Sequence, residues 1–261
     1  MPVRTTTAKP SQHNTSVFRR ETLRPTFSPL IYQSSKRLAV RLPVDAIYFI
    51  SLRKASVRRK KLTDYLASIN LTDKHGNAPM WVIANDGNRV DHAISNAIKK
   101  AHKRPNMSIS EIGCCASHRE VWEKQLKNKH ELVLILEDDA RFDIKKLNQL
   151  ALNWDKLPYF EFLHLGWEYF KGYKEQVIEP FEIPELPNLW KGDGMWLTHA
   201  YITSLWAAEY LLERTKVQTN GLDAMTADIQ SELECYGFKP AIAFQERSGS
   251  GMMRSQISHT G

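Results

Sequence analysis

The sequence predicts an α/β protein in which helices cover both faces of a mostly parallel central sheet. Three observations support this class. Short apolar runs recur along the chain, stretches with the helical period of 3.6 residues lie between them, and the runs lack the polar alternation of half-exposed strands. Strand, helix and strand in that order, with runs apolar on both sides, are typical of a sheet buried between two helical layers.

The strands are predicted from the apolar runs and the turn signals that end them. AIYFISL forms the first strand and MWVIA the second, which ends at the turn signal Asn-Asp-Gly. LVLIL forms the third. In chain order, the six predicted strands lie at residues 46–52, 80–84, 132–136, 162–166, 200–204 and 241–244.

Three of the predicted helices have distinct signals. The first helix has an apolar face made of Leu62, Tyr65, Leu66 and Ile69. The second, within residues 93–104, has apolar positions opposite a basic face. The third begins near residue 109, because Ser108 and Glu111 have the spacing of a capping box.

The net charge of +7 is confined to the first 44 residues. That segment has eight basic residues and one acidic residue, whereas residues 45–261 have 28 of each. Rich in Ser, Thr, Pro and Arg, and without a helical or strand period, it is predicted to be a flexible basic arm that precedes a single folded domain. The arm could be an organellar transit peptide, contact nucleic acid or a membrane surface peripherally, or have no specific partner.

The apolar runs and the cysteines bear on the location of the protein. No segment approaches the roughly 20 apolar residues of a membrane span, so no transmembrane segment is expected. The three cysteines are odd in number, and Cys114 and Cys115 are neighbours, so no disulfide framework is visible. A cytoplasmic location is predicted, with the cysteines interpreted as small buried apolar groups.

Three consecutive acids, Glu137, Asp138 and Asp139, end the apolar strand in LVLILEDDARF. In open α/β sheets, ligands bind beyond the carboxyl ends of the strands, which is where these acids fall. If the chain stays extended, Glu137 and Asp139 point to one side and Asp138 to the other. Two carboxylates on one side suit Mn²⁺ or Mg²⁺, which can bridge to a diphosphate. The alternative is a solvated acidic turn.

The helix before this strand also has polar residues. In SISEIGCCASHREVWEKQ, one stripe consists of Glu111, Cys114 and His118, next to a mostly apolar stripe. Helical spacing alone indicates a core helix. Because a helix and the following strand pack together in an α/β unit, Glu111, Ser117 and His118 are expected near the acids.

EIGCCASHREVW, followed about a dozen residues later by LILEDDARF, resembles the signature of glycosyltransferase family 25. This family contains bacterial lipooligosaccharide galactosyltransferases and procollagen galactosyltransferases. Weaker matches fall in the expected order, so that the resemblance covers about residues 45–257. They are IYFISLRKASVRRKKL, IANDG, THAYITSLWAAEYLL and RSQIS.

The resemblance implies a Rossmann-like GT-A fold over residues 45–261, a nucleotide-sugar donor, most simply a UDP-sugar, and a divalent ion, Mn²⁺ or Mg²⁺. By that analogy the acid motif binds the metal and the donor phosphates, with Glu137 and Asp139 as metal ligands and Asp138 on the donor side. His259 is a further candidate metal ligand. The residues expected around the nucleotide sugar are Arg59, Asp86, Ser117 and His118.

The family resemblance also implies inversion at the anomeric carbon, which requires a general base on the acceptor hydroxyl. Asp223 and Asp193 are the candidates for this base. A helix N-cap role for Asp223 is the alternative. Asp193 lies between two glycines, in a loop predicted to be mobile, with Trp190 and Trp196 on either side, which could stack on a sugar or simply pack locally. The chain departs from the family pattern at Ser51, Cys115 and residues 245–257.

The function predicted is transfer of a hexose, galactose or glucose, to an acceptor hydroxyl, with a glycan favoured by the resemblance, as in lipopolysaccharide biosynthesis. A protein hydroxyl or a modified nucleobase in DNA is an alternative acceptor. A metal-dependent hydrolase or nuclease would use the same acids without a sugar donor. A catalytically silent polyanion-binding protein would depend on the basic arm instead.

Overall fold

The computed structural model describes residues 39–87, 107–169 and 180–246. His259, the arm before residue 39 and the predicted helix within 93–104 lie outside these ranges. The helices are α1 Ser56–Ser68, α2 Ile109–Asn128, α3 Ile144–Leu152, α4 Leu205–Arg214 and α5 Leu222–Ile229. The strands are β1 Val40–Arg41, β2 Ala46–Ser51, β3 Leu71–Thr72, β4 Met80–Ile83, β5 Leu132–Glu137, β6 Ala140–Phe142, β7 Phe162–His164, β8 Glu168–Tyr169, β9 Pro180–Phe181, β10 Asn188–Lys191, β11 Met195–Trp196, β12 Ala200–Ser204, β13 Cys235–Lys239 and β14 Ala243–Gln245.

The central sheet has eight strands in the order β4-β2-β5-β12-β7-β13-β10-β9. Strand β2 pairs in parallel with β4 and β5, and β7 pairs in parallel with β13. Strands β12 and β10 are antiparallel to both of their neighbours. Six of the eight strands therefore run in one direction, and the predicted mostly parallel sheet is confirmed.

Helices cover both faces of the sheet, as the sequence predicts. Residues Leu134 and Leu136 of β5 pack into one core cluster with side chains from α1 and α3. The alternate residues Val133 and Ile135 pack into a second cluster with side chains from α2, α4 and α5. Because successive side chains of a strand point to opposite faces, β5 is buried on both sides, which explains its uninterrupted apolar run.

The predicted boundary between arm and domain is wrong by a few residues. Strand β1 pairs in parallel with β3, and Val40, Leu42 and Val44 are fully buried in the core. These residues therefore belong to the folded domain, although they lie inside the arm predicted over residues 1–44. The described helices include none that is long and apolar enough to cross a membrane.

Helix α2 begins at the predicted capping box. The Ser108 hydroxyl accepts a hydrogen bond from the Glu111 amide, and the Glu111 carboxylate accepts one from the Ser108 amide at 2.6 Å. This cap fixes where the helix starts, and therefore which face packs on the sheet. Cys114 and His118, one turn apart, consequently share the face that reaches the carboxyl end of β5.

The strand directions bring three segments to one edge of the sheet. Strands β2 and β5 are parallel and end at Ser51 and Glu137. Strand β12 is antiparallel to β5, with Ala200 opposite Leu136, so that the residues immediately before β12 lie at the same edge. This edge carries the acid motif.

Candidate active site

The acid motif lies in a sharp turn, not in an extended segment. Strand β5 ends at Glu137. The next two residues, Asp138 and Asp139, form a turn, and β6 begins at Ala140. Glu137 contacts residues on the α2 side of the sheet, whereas Asp138 contacts α1 on the other side. The prediction that Asp138 faces away from Glu137 thus agrees with these contacts, but the extended chain from which it was argued is absent.

Glu137 is held by two polar partners. His118 Nε2 lies 3.5 Å from Glu137 Oε1, and the Thr198 hydroxyl lies 3.0 Å from the same oxygen. Burial alone raises the pKa of Glu137, but the 3.5 Å polar contact with His118 and its charge, with smaller contributions from His199 and Thr198, outweigh it, and the net pKa is lowered. Glu137 is therefore an anion at neutral pH.

The Thr198 hydroxyl joins two carboxylates. It is 2.9 Å from Asp223 Oδ1 as well as 3.0 Å from Glu137 Oε1. A hydroxyl has a single proton, so it can donate to only one of these oxygens at a time. The shared hydroxyl therefore holds the Asp223 carboxylate close to Glu137.

The neighbours of Asp138 hold its carboxylate in place and balance its charge. It is 5% exposed, accepts a hydrogen bond from the Ser51 hydroxyl at 2.8 Å and forms an ion pair with Arg58. A buried carboxylate that is paired and hydrogen-bonded keeps its position with little freedom. Asp138 therefore anchors the turn that presents Asp139.

Asp139 has an unused ligand atom. Its Oδ1 is buried and has no hydrogen-bond partner within the described ranges. Burial and the charge of Glu137 raise the pKa of Asp139 to about 6, against the opposing charges of Arg58 and Arg141. A buried carboxylate oxygen without a partner, next to a second carboxylate, fits a hard divalent ion such as Mn²⁺ or Mg²⁺.

His118 lies inside this cluster. Its Nδ1 is 2.7 Å from the Tyr201 hydroxyl, and the two rings stack with centroids 5.7 Å apart. Its Nε2 points towards Glu137, and the Cys114 sulfur completes a group whose ligand atoms all lie within 4.8 Å of one another. Burial, and the charges of Glu137 and Asp223, raise the pKa of the Cys114 thiol well above its ordinary value.

Ser117 and Asp86 lie at the rim next to β4. The Ser117 hydroxyl accepts a hydrogen bond from the Asn85 amide at 2.8 Å and donates one to the Gly113 carbonyl at 2.6 Å. A Cβ at Gly113 would lie 2.6 Å from the Asn85 carbonyl oxygen, so only glycine lets the turn approach α2 this closely. Ser117 thus positions the turn, and Asp86 within it forms a 2.7 Å ion pair with Lys54.

Arg58 contacts the acid motif, whereas the predicted donor ligand Arg59 does not in the described contacts. Arg59 donates to the Leu52 carbonyl at 2.9 Å and lies over the Trp81 ring at 4.0 Å. Consecutive residues on a helix are about 100° apart, so α1 turns only one of the two arginines towards Asp138. The sequence does not distinguish them, because both precede the same apolar face.

The structure places Asp223 in the cluster. Asp223 lies in the first turn of α5, but Gly221 is the N-cap of that helix and makes no side-chain capping bond, so the N-cap alternative is wrong. The Asp223 carboxylate instead approaches Glu137 through Thr198.

Asp193 lies in different surroundings. It is 5% exposed, between β10 and β11, and its charge raises the pKa of nearby Tyr169 and Cys235, after burial. Its described contacts do not include the acids of the motif. The Lys239 ammonium lies 4.7 Å from the centroid of the Trp190 ring.

Sequence reasoning missed Thr198 and His199. Both precede β12, which was predicted as a strand of a mostly parallel sheet without a direction of its own, and a parallel β12 would place them at the opposite edge of the sheet. The antiparallel pairing with β5 brings them to the acids, and the Glu137 amide donates to the His199 carbonyl at 2.8 Å. No local signal in the sequence indicates this direction.

Taken together, the structure is that of an α/β protein with a mostly parallel sheet and a partly buried acidic cluster at the carboxyl edge of that sheet. Comparison with known families agrees: the family described as glycosyltransferase family 25 (LPS biosynthesis protein) matches residues 44–229. The chain belongs to glycosyltransferase family 25, which confirms the family predicted from the motifs.

Two individual relatives each share about a quarter of the aligned residues with this chain. Procollagen galactosyltransferase 1-B of Xenopus laevis is 28% identical over 195 residues, which are 70% of this chain and 31% of the relative. Probable inactive glycosyltransferase 25 family member 3 of Bos taurus is 25% identical over 181 residues, 64% of this chain and 28% of the relative. The chain thus spans about a third of the length of the curated relatives it matches.

Among solved structures, one similar chain is a glycosyltransferase involved in the glycosylation of the major capsid of PBCV-1. The TM-score is 0.33 at 11% identity, covering 66% of this chain and 67% of the other.

Proposed function

We propose that the protein is a metal-dependent hexosyltransferase that moves galactose or glucose from a nucleotide sugar, most simply a UDP-sugar, to an acceptor hydroxyl with inversion. Membership of glycosyltransferase family 25 supports the reaction class. The observation on which the proposal chiefly rests is the partly buried cluster in which Glu137 and Asp223 share the Thr198 hydroxyl, while a buried oxygen of Asp139 has no hydrogen-bond partner among the described residues.

The acid motif is proposed to hold Mn²⁺ or Mg²⁺ through Glu137 and Asp139. The bound ion would supply Lewis-acid stabilisation of the diphosphate that leaves the sugar. His259 remains a proposed further ligand, and it lies outside the described residues. Asp138, clamped by Ser51 and Arg58, keeps the turn rigid so that Asp139 stays in place without the ion.

The general base is proposed to be Asp223. It lies in the first turn of α5, beside the Thr198 hydroxyl that is also hydrogen-bonded to Glu137. A base must accept the proton of the acceptor hydroxyl as the bond to the sugar forms, on the face opposite the leaving diphosphate. Asp193 is the weaker candidate, because its described neighbours are Tyr169 and Cys235 rather than the acid motif.

The nucleotide is proposed to lie along the rim formed by the ends of β2 and β4. Asp86 and Arg59 would contact it, with His118 on the sugar side. Ser117 would act through the backbone of the Asn85 turn, since its hydroxyl already makes two hydrogen bonds inside the protein.

Asp223→Asn and Asp193→Asn test the assignment of the base. We expect Asp223→Asn to abolish transfer to an acceptor while leaving metal-dependent donor binding intact, because a base acts on the acceptor proton and not on the diphosphate. Asp193→Asn should retain transfer. Donor binding by calorimetry and transfer from a panel of nucleotide sugars to glycan, protein and nucleobase acceptors measure the two effects. Parallel loss of donor affinity in Asp223→Asn would make it structural or a donor ligand.

The acceptor is proposed to be a glycan, with a protein hydroxyl as the alternative. The name of the Xenopus relative combines galactose with procollagen, which favours including galactose donors and collagen-like peptides in the panel. The name of the bovine relative favours a second candidate, a catalytically silent protein of the same fold. Donor binding without turnover of any nucleotide sugar would support that candidate.

A further inference from the structure

A second set of metal-ligand atoms lies on the α2 side of Glu137. The Cys114 sulfur, His118 Nε2 and a Glu137 carboxylate oxygen all lie within 4.8 Å of one another, and the nitrogen is 3.5 Å from the carboxylate. Cys114 and His118 are four residues apart on α2, so the helix itself directs both side chains to the same point.

His118 has the surroundings of a metal ligand. The side chain is 1% exposed, and Nε2 has no hydrogen-bond partner within the described part of the chain. Its other nitrogen, Nδ1, is hydrogen-bonded to the Tyr201 hydroxyl at 2.7 Å, which fixes the ring plane and aims Nε2 at Glu137. Metal-bound histidines have this arrangement, with one nitrogen anchored and the other free for the ion.

The carboxylate is also anchored from behind. The Thr198 hydroxyl lies 3.0 Å from Glu137 Oε1, and the Glu137 amide donates to the His199 carbonyl. The first of these bonds orients the ligating carboxylate before the ion arrives, and the second fixes the main chain from which it extends. Two of the three ligand groups are therefore held in place by partners that do not compete for the ion.

We propose that Cys114, His118 and Glu137 form a binding site for Zn²⁺, or for a chemically similar ion such as Co²⁺, separate from the Mn²⁺ or Mg²⁺ position proposed at Asp139. One sulfur, one imidazole nitrogen and one carboxylate oxygen are a typical ligand set for zinc, with water in the fourth position, and a poor one for Mg²⁺. Tetrahedral zinc bonds place such ligand atoms about 3–4 Å apart, so shifts of about 1 Å or less close the site.

Binding is balanced in charge. The Cys114 thiol releases its proton to solvent, and the resulting thiolate and the Glu137 carboxylate neutralise the two positive charges of the ion. The ion also uses Glu137, which the proposed Mn²⁺ position needs as well, so zinc and Mn²⁺ compete for this carboxylate. That consequence rests on the proposed function, whereas the existence of the site does not.

Titration of the full-length protein with Co²⁺ tests the site without any donor or turnover. The chain has three cysteines, and Cys115 is a matched control because it is the neighbouring residue on α2 but is buried in the core. We expect a near-ultraviolet thiolate-to-cobalt absorption band in the wild type and in Cys115→Ser, and its loss in Cys114→Ser. Competition with Zn²⁺ should show that the Zn²⁺ affinity of Cys114→Ser is lower than that of the wild type by about 100-fold or more, because one ligand is lost.

His118→Gln provides an independent variant, with circular dichroism confirming that each protein is folded. The Co²⁺ band should shift or vanish in folded His118→Gln, because the imidazole ligand is gone. No band in the wild type, a band that survives Cys114→Ser, or a band lost from folded Cys115→Ser would each overturn the proposal. None of these results touches the acid motif at Asp139, so failure here is distinct from failure of the proposed transferase activity.

Discussion

Replacing Thr198 by valine tests the polar link between Glu137 and Asp223. The change keeps the shape of a side chain that is 2% exposed but removes a hydroxyl lying 3.0 and 2.9 Å from the two carboxylates. A hydrogen bond to an ionised group contributes about 1.5–3 kcal/mol, and the single hydroxyl proton means that only one such bond is lost. We therefore expect the free energy of unfolding at neutral pH to fall by about 1.5–3 kcal/mol.

The pH dependence of that loss follows from the pKa of Glu137. Burial opposes ionisation, but His118, His199 and Thr198 together bring the pKa below its ordinary value of 4.5. A carboxylate with a lowered pKa stabilises the folded state above 4.5, and that contribution disappears as the pH falls through the folded pKa. The free energy of unfolding of Thr198→Val should thus lie furthest below that of the wild type at neutral pH, and the gap should become smaller in acid.

Urea unfolding at several pH values measures this difference, with Thr226→Val as the matched control. Thr226 is also buried on α5, but its hydroxyl donates to the neutral backbone carbonyl of Asp223 at 3.0 Å. Its loss should cost about 0.5–1.5 kcal/mol at every pH. If Thr198→Val is as stable as wild type at neutral pH, or if its loss is the same in acid, the hydroxyl does not support an ionised Glu137.

Three further outcomes are expected. Deletion of residues 1–38 should leave the melting temperature and donor hydrolysis nearly unchanged and weaken any salt-sensitive binding to DNA or anionic vesicles; a truncated protein that fails to fold would contradict this. Arg58→Met should lower the free energy of unfolding by about 2 kcal/mol, which is less than the usual penalty for an unpaired buried charge because the Arg58 side chain is 37% exposed. The control Arg59→Met should lower it by less. Equal losses of unfolding free energy in urea for the two variants would refute the pairing of Arg58 with Asp138. Mn²⁺ affinity measured by calorimetry should rise as the pH passes about 6, where Asp139 ionises, and Asp139→Asn should flatten that rise.

Local signals in the sequence were sufficient for much of the fold. The apolar run of β5 and the capping box at Ser108 and Glu111 depend on neighbouring residues, and both appear where they were predicted. The predicted strand at 241–244 exists as β14, shifted to Ala243–Gln245, but pairs with β6 outside the central sheet. Strand β13, which contains Gly237 between tyrosine and phenylalanine, lacks a continuous apolar run and was missed.

The rest of the site depends on contacts between distant segments. Thr198 approaches Glu137 only because β12 is antiparallel to β5, and Arg58 approaches Asp138 only because of how α1 is rotated on the sheet. Neither strand direction nor helix rotation to within one residue is encoded by composition or period. The acids themselves were predictable, since three carboxylates after a buried strand are unusual, whereas their partners were not.

The thermal response to Mn²⁺ together with a nucleoside diphosphate tests the central claim most directly. If Glu137 and Asp139 hold an ion that bridges to the diphosphate, Mn²⁺ with UDP should raise the melting temperature of the wild type by more than the sum of the two separate shifts, because only the folded state offers that bridge. Asp139→Asn should abolish this synergy and reduce turnover by several orders of magnitude, while the ligand-free variant is at least as stable as wild type, because a buried charge beside Glu137 is gone. Synergy that persists in Asp139→Asn, or full turnover in excess chelator, would contradict the account.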